Sequence, residues 1–211
     1  MPLARRVLSI YTFWVHNNSV SPLPFPPAAL SPDNPRPHIR AAVENDADRI
    51  ATLIACYIAD GLMLPRTTSR IALTIDNYIV ADADGEIVAC AALEEYSPSL
   101  AEVSCVAVAR SHHGSGLGSQ VVLGVERLAR ARNIGELFAL SLSEGFFFSL
   151  DYTASDILNY PEKQARYDAM IAAGHAIVPK PCFKKVLGNS WELPQLVPSA
   201  FATTQPARRA S

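Results

Sequence analysis

The stretch VSCVAVARSHHGSGLGSQVVLGVERLARARNIG, residues 103–135, indicates a strand that passes through a glycine-rich loop into an amphipathic helix. The predicted helix carries its apolar side chains at Val121, Val122, Val125, Leu128 and Ala129, which fall on one face. Gly135 is expected to end it. Because the start of a helix presents unpaired N–H groups and glycines allow close approach, this loop is a candidate binding site for the phosphates of a ligand.

The loop differs from the common nucleotide-binding motifs. No Lys-Ser or Lys-Thr pair follows the glycines, so it is not a Walker loop. The glycine spacing is G-x-G-x-G rather than G-x-G-x-x-G, and the preceding strand is the third of a predicted meander. A glycine-rich connection that binds no ligand is the alternative interpretation, and the motif by itself leaves it open.

Strand and helix signals alternate around this stretch. A strand at 38–43 is followed by a helix capped by Asn45 or Asp46 and closed by Gly61, and a second helix is expected from Thr67 or Thr68 to Ile75. Three strands follow, the first two around an Asp84-Gly85 turn and the third at 100–109. After the loop and its helix come a strand at 136–142, a short helix at 143–150 and a last strand at 182–187. The order β-α-α-β-β-β-α-β-α-β predicts a mixed α/β layer.

Composition excludes several classes of function. The 211 residues carry a net charge of −2 and contain no apolar run near the roughly 18–20 residues that span a bilayer, so neither a membrane nor nucleic acid is an expected partner. The four cysteines, Cys56, Cys90, Cys105 and Cys182, have no CxxC spacing. They are expected to be reduced thiols in a cytoplasmic protein that holds no metal.

The two ends differ from the centre in composition. Residues 1–37 contain seven prolines between Pro22 and Pro37, and no acidic residue precedes Asp33. This segment is expected to be either a disordered extension or an organelle-targeting segment, since Arg5 and Arg6 precede an apolar run. Residues 188–211 are expected to form a flexible tail, which leaves 38–187 as the folded domain.

Four segments together resemble a known family. They are GLMLPRTTSRIALTIDNYIVADADGEIVACAALEEY at 61–96, AEVSCVAVARSHHGSGLG at 101–118, LFALS at 137–141 and YPEK at 160–163. In this order and spacing they resemble the acetyltransferase domain of N-acetylglutamate synthases, within the GNAT superfamily. The resemblance covers about 38–187 and implies a mostly antiparallel mixed sheet with one splayed parallel strand pair and helices on both faces. The amino-acid kinase domain of the longer bacterial synthases is absent from this sequence, so a short stand-alone form is expected.

The resemblance implies acetyl-CoA as the co-substrate, wedged between strands at Ser104–Val108 and Leu137–Leu142. Its pantetheine arm would follow Val106, Ala107 and Val108. The diphosphate would contact His113, Gly114, Ser115, Gly116, Leu117, Gly118 and Ser119. Histidine at 113 departs from the family's arginine or glutamine, and His112 and His113 as two solvated imidazoles remain the alternative.

The resemblance also assigns catalytic and acceptor-binding roles. Glu102 would act as a base through a water molecule that Ser141 helps to hold, and Tyr167 would protonate the leaving thiolate. The acceptor would contact the side chains of Arg66 and Lys184 and the main chain of Leu64 and Cys105, with Lys163 and Arg166 as further cations nearby. For Cys105, packing in the core is the alternative. Two departures from the family are Asp151 at a glycine position and Cys182 at an arginine position.

Together these implications predict acetyl transfer to the α-amine of an amino acid, with L-glutamate as the first candidate, at the first step of arginine biosynthesis. The expected partners are these small molecules, and a homodimer is left open. One alternative is acetylation of another small amine or a protein amine. The other is a coenzyme-binding regulatory module that has lost catalysis.

Overall fold

The computed structural model describes residues 36–175 and 177–188. The strands are β1 (His38–Ala41), β2 (Tyr78–Ala83), β3 (Glu86–Ser97), β4 (Leu100–Val108), β5 (Glu136–Leu140), β6 (Thr153–Ser155) and β7 (Cys182–Val186). The helices are α1 (Ala47–Ala59), α2 (Thr68–Leu73), α3 (Leu117–Ala131), α4 (Glu144–Phe148) and α5 (Pro161–Ala172). The extension and the tail expected at the two ends lie almost wholly outside the described residues.

All seven strands form one sheet in the order β1-β2-β3-β4-β5-β7-β6. Every neighbouring pair is antiparallel except β4 and β5, which run parallel. Asp84 and Gly85 turn the chain between β2 and β3 with φ values of 52° and 90°, as a two-residue hairpin requires. This architecture confirms the fold class that the resemblance implied.

Helices cover both faces of the sheet because side chains alternate along each strand. On β2, Ile79 packs in the same core as Val121 and Val125 of α3. Its neighbour Val80 packs with Ile54 of α1 in a second core on the opposite face. Two apolar layers, one on each face, therefore hold the sheet to its helices. The longest helix described, α3, has 15 residues, which is too few to cross a bilayer.

Three sequence expectations differ from the structure. Helix α3 ends at Ala131 rather than at Gly135, because Asn133 turns the chain with φ of 61°. Strand β6 and helix α5 were both missing from the predicted order. Helix α5 gives a weak apolar pattern because Lys163 is its one fully buried residue, so its inner face lacks the aliphatic stripe that signals a helix.

The β4–β5 pair opens after a short contact. The ladder joins Leu100 to Glu136, Ala101 to Leu137 and Glu102 to Phe138, and it stops there although β4 continues to Val108. On the other side of β4, the β3 register shifts so that Cys105 and Val106 both lie opposite Ala91. Cys105 has φ of 54°, typical of the extra residue in a bulge. The strand therefore bends away from β5 where the gap opens.

One ion pair anchors the start of the domain and gives a prediction on stability. The Asp46 carboxylate, only 1% exposed, accepts from Arg40 at 2.6 and 3.0 Å and from the Val43 amide at 2.8 Å. The hydrogen bond from Arg40 lowers the pKa of Asp46. A lowered carboxyl pKa gives stability that is present above its unfolded value and is lost as the pH falls through the folded one.

Asp46→Asn should therefore lower the free energy of unfolding by about 1–3 kcal/mol at neutral pH. The difference from wild type should shrink as the pH falls from the unfolded pKa of an aspartate through the lowered pKa of Asp46, and it should be absent below that value. Urea unfolding at several pH values measures this, with the exposed Asp48→Asn as the control, for which about 0.5 kcal/mol or less is expected. Equal losses in both variants would contradict the role of this ion pair.

Candidate functional site

A groove runs along the glycine-rich loop and the open side of β4. Its volume is about 640 Å³, and we call it the loop groove. Its lining includes Tyr57, Val106, Ala107, Val108, His112, His113, Gly114, Gly116, Leu117, Gly118, Ser119, Ser141, Phe146 and Phe147. Nine of the ten residues predicted to contact a coenzyme are among them, and Ser115, whose hydroxyl donates to the His112 carbonyl, is not.

The backbone of the loop presents free amides to this groove. Gly114 and Gly116 have φ values of 77° and 81°, which glycine adopts at little cost. The first hydrogen bond of α3 joins the Gln120 amide to the Gly116 carbonyl at 3.2 Å. The amides of Leu117, Gly118 and Ser119 therefore have no acceptor inside the helix. Together with the helix dipole, these free donors favour an anion at the start of α3.

Gly118 lies in a tight contact between the helix and the sheet. A Cβ atom at this position would approach Phe146 to 3.3 Å and Val108 to 3.5 Å. The Val108 carbonyl accepts from the Tyr57 hydroxyl at 2.6 Å and lies 3.0 Å from His113 Nε2. His113 therefore directs one ring nitrogen to the end of β4 and keeps only the other for a ligand.

A second cavity of about 210 Å³ lies deeper in the β4–β5 gap, and we call it the inner cavity. Its lining includes Tyr57, Met63, Leu64, Arg66, Glu102, Ser104, Val106, Ser141, Ser143, Phe147, Lys163, Tyr167 and Lys180. Val106 and Ser141 line both cavities, so the loop groove and the inner cavity meet there.

Glu102 is the carboxylate that lines the inner cavity among the described residues, with an exposure of 4%. Lys163 of α5 donates to both of its oxygens, at 3.0 and 2.8 Å, and the Tyr96 hydroxyl donates to Oε2 at 3.0 Å. A carboxylate has about four acceptor positions, so one stays free for a further donor such as water. Helix α5 thus reaches the catalytic candidate through a buried ion pair.

Arg66 enters the cavity from the segment that follows α1. One terminal nitrogen donates to Glu94 at 2.9 Å and to the Ser104 hydroxyl at 3.2 Å, while its other nitrogens have no acceptor among the described residues. Glu94 also pairs with Arg166 of α5. Burial opposes ionisation of Glu94, but the two guanidinium groups outweigh it and lower the pKa of this carboxyl. Arg66 is therefore fixed on one side and free to bind on the other.

Tyr167 and Ser141 complete the polar lining. Burial and the nearby charge of Glu102 raise the pKa of Tyr167, so its phenol is protonated at neutral pH. The Lys163 ammonium lies 4.7 Å from the centre of the Tyr167 ring. Ser141 Oγ accepts from the Ser143 amide at 3.0 Å, which leaves its own proton free to donate.

Two predicted acceptor-binding residues lie outside the inner cavity. Lys184 sits on β7 opposite Phe138, with its ammonium 3.9 Å from the Glu136 carboxylate. The Cys105 side chain contacts the Met63 sulfur at 3.6 Å and faces the core beneath the sheet. The bulge places Cys105 there because it turns the side chain away from the gap.

The two departures from the family pattern have simple structural outcomes. Asp151 keeps a φ of 63°, the left-handed conformation for which glycine is suited. Cys182 is buried at the start of β7, and burial raises its thiol pKa to about 11, so it is neutral near pH 7. Within residues 36–175 and 177–188, no three His, Cys, Asp or Glu side chains cluster as a metal site would need.

Sequence reasoning did not identify Glu94 or Lys180 as members of the site. Glu94 lies directly opposite Glu102 in the β3–β4 register, and this pairing of two carboxylates explains why α5 brings two cations, Lys163 and Arg166, to the sheet. The signal in the sequence was the i, i+3 spacing of those two cations, which is readable only once α5 is known to be a helix.

Comparisons with known proteins agree with this geometry. The family model described as acetyltransferase (GNAT) family matches residues 33–145. An uncharacterized N-acetyltransferase of Chlorobaculum tepidum is 30% identical over 125 residues, which cover 59% of this chain and 81% of that protein. An amino-acid acetyltransferase of Mannheimia succiniciproducens is 34% identical over 113 residues, which cover 53% of this chain and 26% of that protein.

Among solved structures, N-acetylglutamate synthase from Neisseria gonorrhoeae, complexed with coenzyme A and N-acetyl-glutamate, superposes with a TM-score of 0.61 at 26% identity. The match covers 71% of this chain and 35% of the synthase, so the chain spans about a quarter to a third of these two longer relatives. The family model covers more than half of the 211 residues, and the parallel pair opens beside an amide-lined loop. On this evidence the chain belongs to the GNAT family of acetyltransferases.

Proposed function

We propose that this chain transfers an acetyl group from acetyl-CoA to the α-amine of an amino acid, with L-glutamate as the first candidate acceptor. This reaction is the first step of arginine biosynthesis. The observation that carries the proposal is the meeting of the amide-lined loop groove with the charged inner cavity at Val106 and Ser141. The amino-acid acetyltransferase and the N-acetylglutamate synthase among the relatives support the same reaction.

In this proposal the coenzyme occupies the loop groove. Its diphosphate accepts from the amides at the start of α3, where the helix dipole favours negative charge. Its pantetheine arm takes the position of a missing strand beside Val106 and Val108, since β4 has no β5 partner beyond Glu102. The thioester then lies at the junction with the inner cavity.

The chemistry needs one base and one acid. The amine attacks the thioester carbon, a C–N bond forms, and the C–S bond breaks. Glu102 takes the amine proton through water held with Ser141, and Tyr167 returns a proton to the coenzyme thiolate. The Val106 amide, in the β4 bulge, donates to the thioester oxygen as that oxygen gains charge.

Arg66 is proposed to bind an acceptor carboxylate through the guanidinium nitrogens that have no acceptor among the described residues. Arg66→Ala should raise KM for the amino acid about 10–100-fold, or about 1.4–2.7 kcal/mol, because a charge-assisted bidentate contact is lost. KM for acetyl-CoA should stay unchanged, since Arg66 does not line the loop groove. The measurement is steady-state kinetics with each substrate varied in turn.

The matched control is Arg70→Ala, which removes an exposed arginine one helical turn further on and outside the inner cavity. Its kinetic constants should equal those of wild type. An Arg66→Ala variant with an unchanged KM for every amino acid it acetylates would contradict the proposed contact.

The test of the proposed function is thiol release from acetyl-CoA with a panel of free amino acids, other small amines and peptides with free N-termini. Turnover with glutamate or another amino acid supports the proposal. Turnover with only non-amino-acid amines or peptides would support the alternative acceptor class. Thermal stabilisation by acetyl-CoA without any turnover would support a coenzyme-binding regulatory module.

A further inference from the structure

We propose that Lys180 binds the acceptor carboxylate that Arg66 does not hold, and so selects amino acids with two carboxylates. This inference rests on the proposed function and deepens it. Lys180 lies in the segment that joins α5 to β7, and it lines the inner cavity beside Leu64, Lys163 and Tyr167.

The charges of the inner cavity identify Lys180 as its unmatched cation. Among the described residues, the cavity is lined by three cations, Arg66, Lys163 and Lys180, and by one carboxylate, Glu102. Lys163 is paired with Glu102, and Arg66 is paired with Glu94 behind the cavity wall. Across the described part of the chain, no carboxylate lies within 4.0 Å of the Lys180 ammonium. The cavity therefore has a positive surplus that a bound anion would compensate.

The surroundings of Lys180 make an anion favourable there. Burial, and next to it the positive charge of Lys163, lower the pKa of Lys180, and the attraction of Glu102 offsets them only in part, so the charged form of Lys180 is not fully stabilised by the protein. A carboxylate from the acceptor would supply the missing opposite charge. An ammonium has three donors, and the Leu62 carbonyl accepts one of them at 2.6 Å, which leaves two for a ligand.

The same contact fixes Lys180 relative to Arg66. Leu62 begins the segment 62–66 that carries Leu64 and Arg66 into the inner cavity. The hydrogen bond to the Leu62 carbonyl therefore ties the segment before β7 to the segment that supplies Arg66. A molecule that bridges Arg66 and Lys180 needs a negative group at each end, which among amino acids describes glutamate or aspartate.

The test compares Lys180→Gln, Lys180→Arg and the matched control Lys184→Gln in steady-state kinetics with glutamate and with glutamine. Lys184 is a lysine four positions further on that lies outside both cavities. We expect Lys180→Gln to raise KM for glutamate about 10–100-fold with little change in kcat, because a binding contact rather than a reacting group is lost. Lys180→Arg should recover part of this loss, and Lys184→Gln should match wild type.

Kinetics with glutamine as the acceptor show which of the two carboxylates Lys180 binds. A smaller rise in KM for glutamine than for glutamate would assign Lys180 to the side-chain carboxylate, and an equal rise would assign it to the α-carboxylate. Both results support the inference. The KM for acetyl-CoA and the thermal unfolding midpoint together show whether a variant is folded. If Lys180→Gln is unstable, Lys180→Arg still provides a donor for the Leu62 carbonyl.

Two different results would overturn the inference. An active, folded Lys180→Gln enzyme with KM values within about twofold of wild type for every acceptor would refute the role of Lys180 alone. A wild-type chain that acetylates no amino acid would refute the proposed function, and the inference with it. Because wild-type activity is measured first, the two failures are distinguishable.

Discussion

Glu102→Gln should lower kcat by about 100- to 10,000-fold, the usual range for loss of a general base. The amide is nearly the same size as the carboxylate but cannot take a proton from the attacking amine. The pH–rate profile should become steeper, because the reaction then depends on the amine that is already deprotonated in solution. The dissociation constant of acetyl-CoA should stay near its wild-type value, since Glu102 does not line the loop groove.

The same substitution has a structural effect that must be separated from the chemical one. Lys163 is buried, and its only carboxylate partner among the described residues is Glu102. Leaving it unpaired should lower the free energy of unfolding by about 3–5 kcal/mol. The double variant Glu102→Gln/Lys163→Met removes both charges and should recover much of that stability without recovering activity. Wild-type kcat in Glu102→Gln, or restored turnover in the double variant, would remove Glu102 from the role of base.

Gly116→Val should weaken acetyl-CoA binding about 100-fold or more, as expected for the loss of two or more charge-assisted amide contacts to phosphate. Gly116 caps α3 with φ of 81°, a conformation that a β-branched residue adopts only under strain of about 1–3 kcal/mol. Apart from its chain neighbours, no described residue comes within 4 Å of the added Cβ, so the new side chain would fill space beside the loop rather than clash with the core. Calorimetric titration with acetyl-CoA measures the effect.

The control for this variant is Gly174→Val. Gly174 follows α5 with φ of 87°, and a Cβ at this position likewise has no atom of a described residue within 4 Å other than those of its chain neighbours. The two substitutions therefore carry a similar backbone strain at places of different function. Equal loss of coenzyme affinity in both would show that the effect of Gly116→Val comes from general destabilisation, and normal affinity in Gly116→Val would show that the loop does not bind the diphosphate.

The central part of the fold could be predicted from sequence because its signals are local. The Asp84-Gly85 dipeptide fixes the β2–β3 turn, and Asp46 and Thr67 mark the starts of α1 and α2 as residue types that favour helix caps, although only the Thr67 side chain accepts from its helix, from the Arg70 amide. Helix α5 and strand β6 escaped prediction for a physical reason. Helix α5 is attached to the sheet largely by charged pairs, and a three-residue edge strand such as β6 is too short to show a period.

Part of the candidate site could also be predicted from sequence. The glycine-rich loop was predicted from consecutive residues, and Glu102, Arg66 and Ser141 were predicted from the family resemblance. Lys180 could not be found in this manner, because its role depends on which cations already have partners in three dimensions. Lys184, the lysine that the family resemblance assigned to the acceptor, lies at a register position on β7 that places its ammonium near Glu136.

Hydrogen–deuterium exchange with and without acetyl-CoA shows where the coenzyme binds, because it reports on individual amides. We expect slower exchange on coenzyme binding at Val106 and Val108 in β4 and at Gly116, Leu117, Gly118 and Ser119 at the start of α3. Protection confined to other parts of the chain, with these amides exchanging as in the free protein, would contradict the placement of the coenzyme between the separating strands.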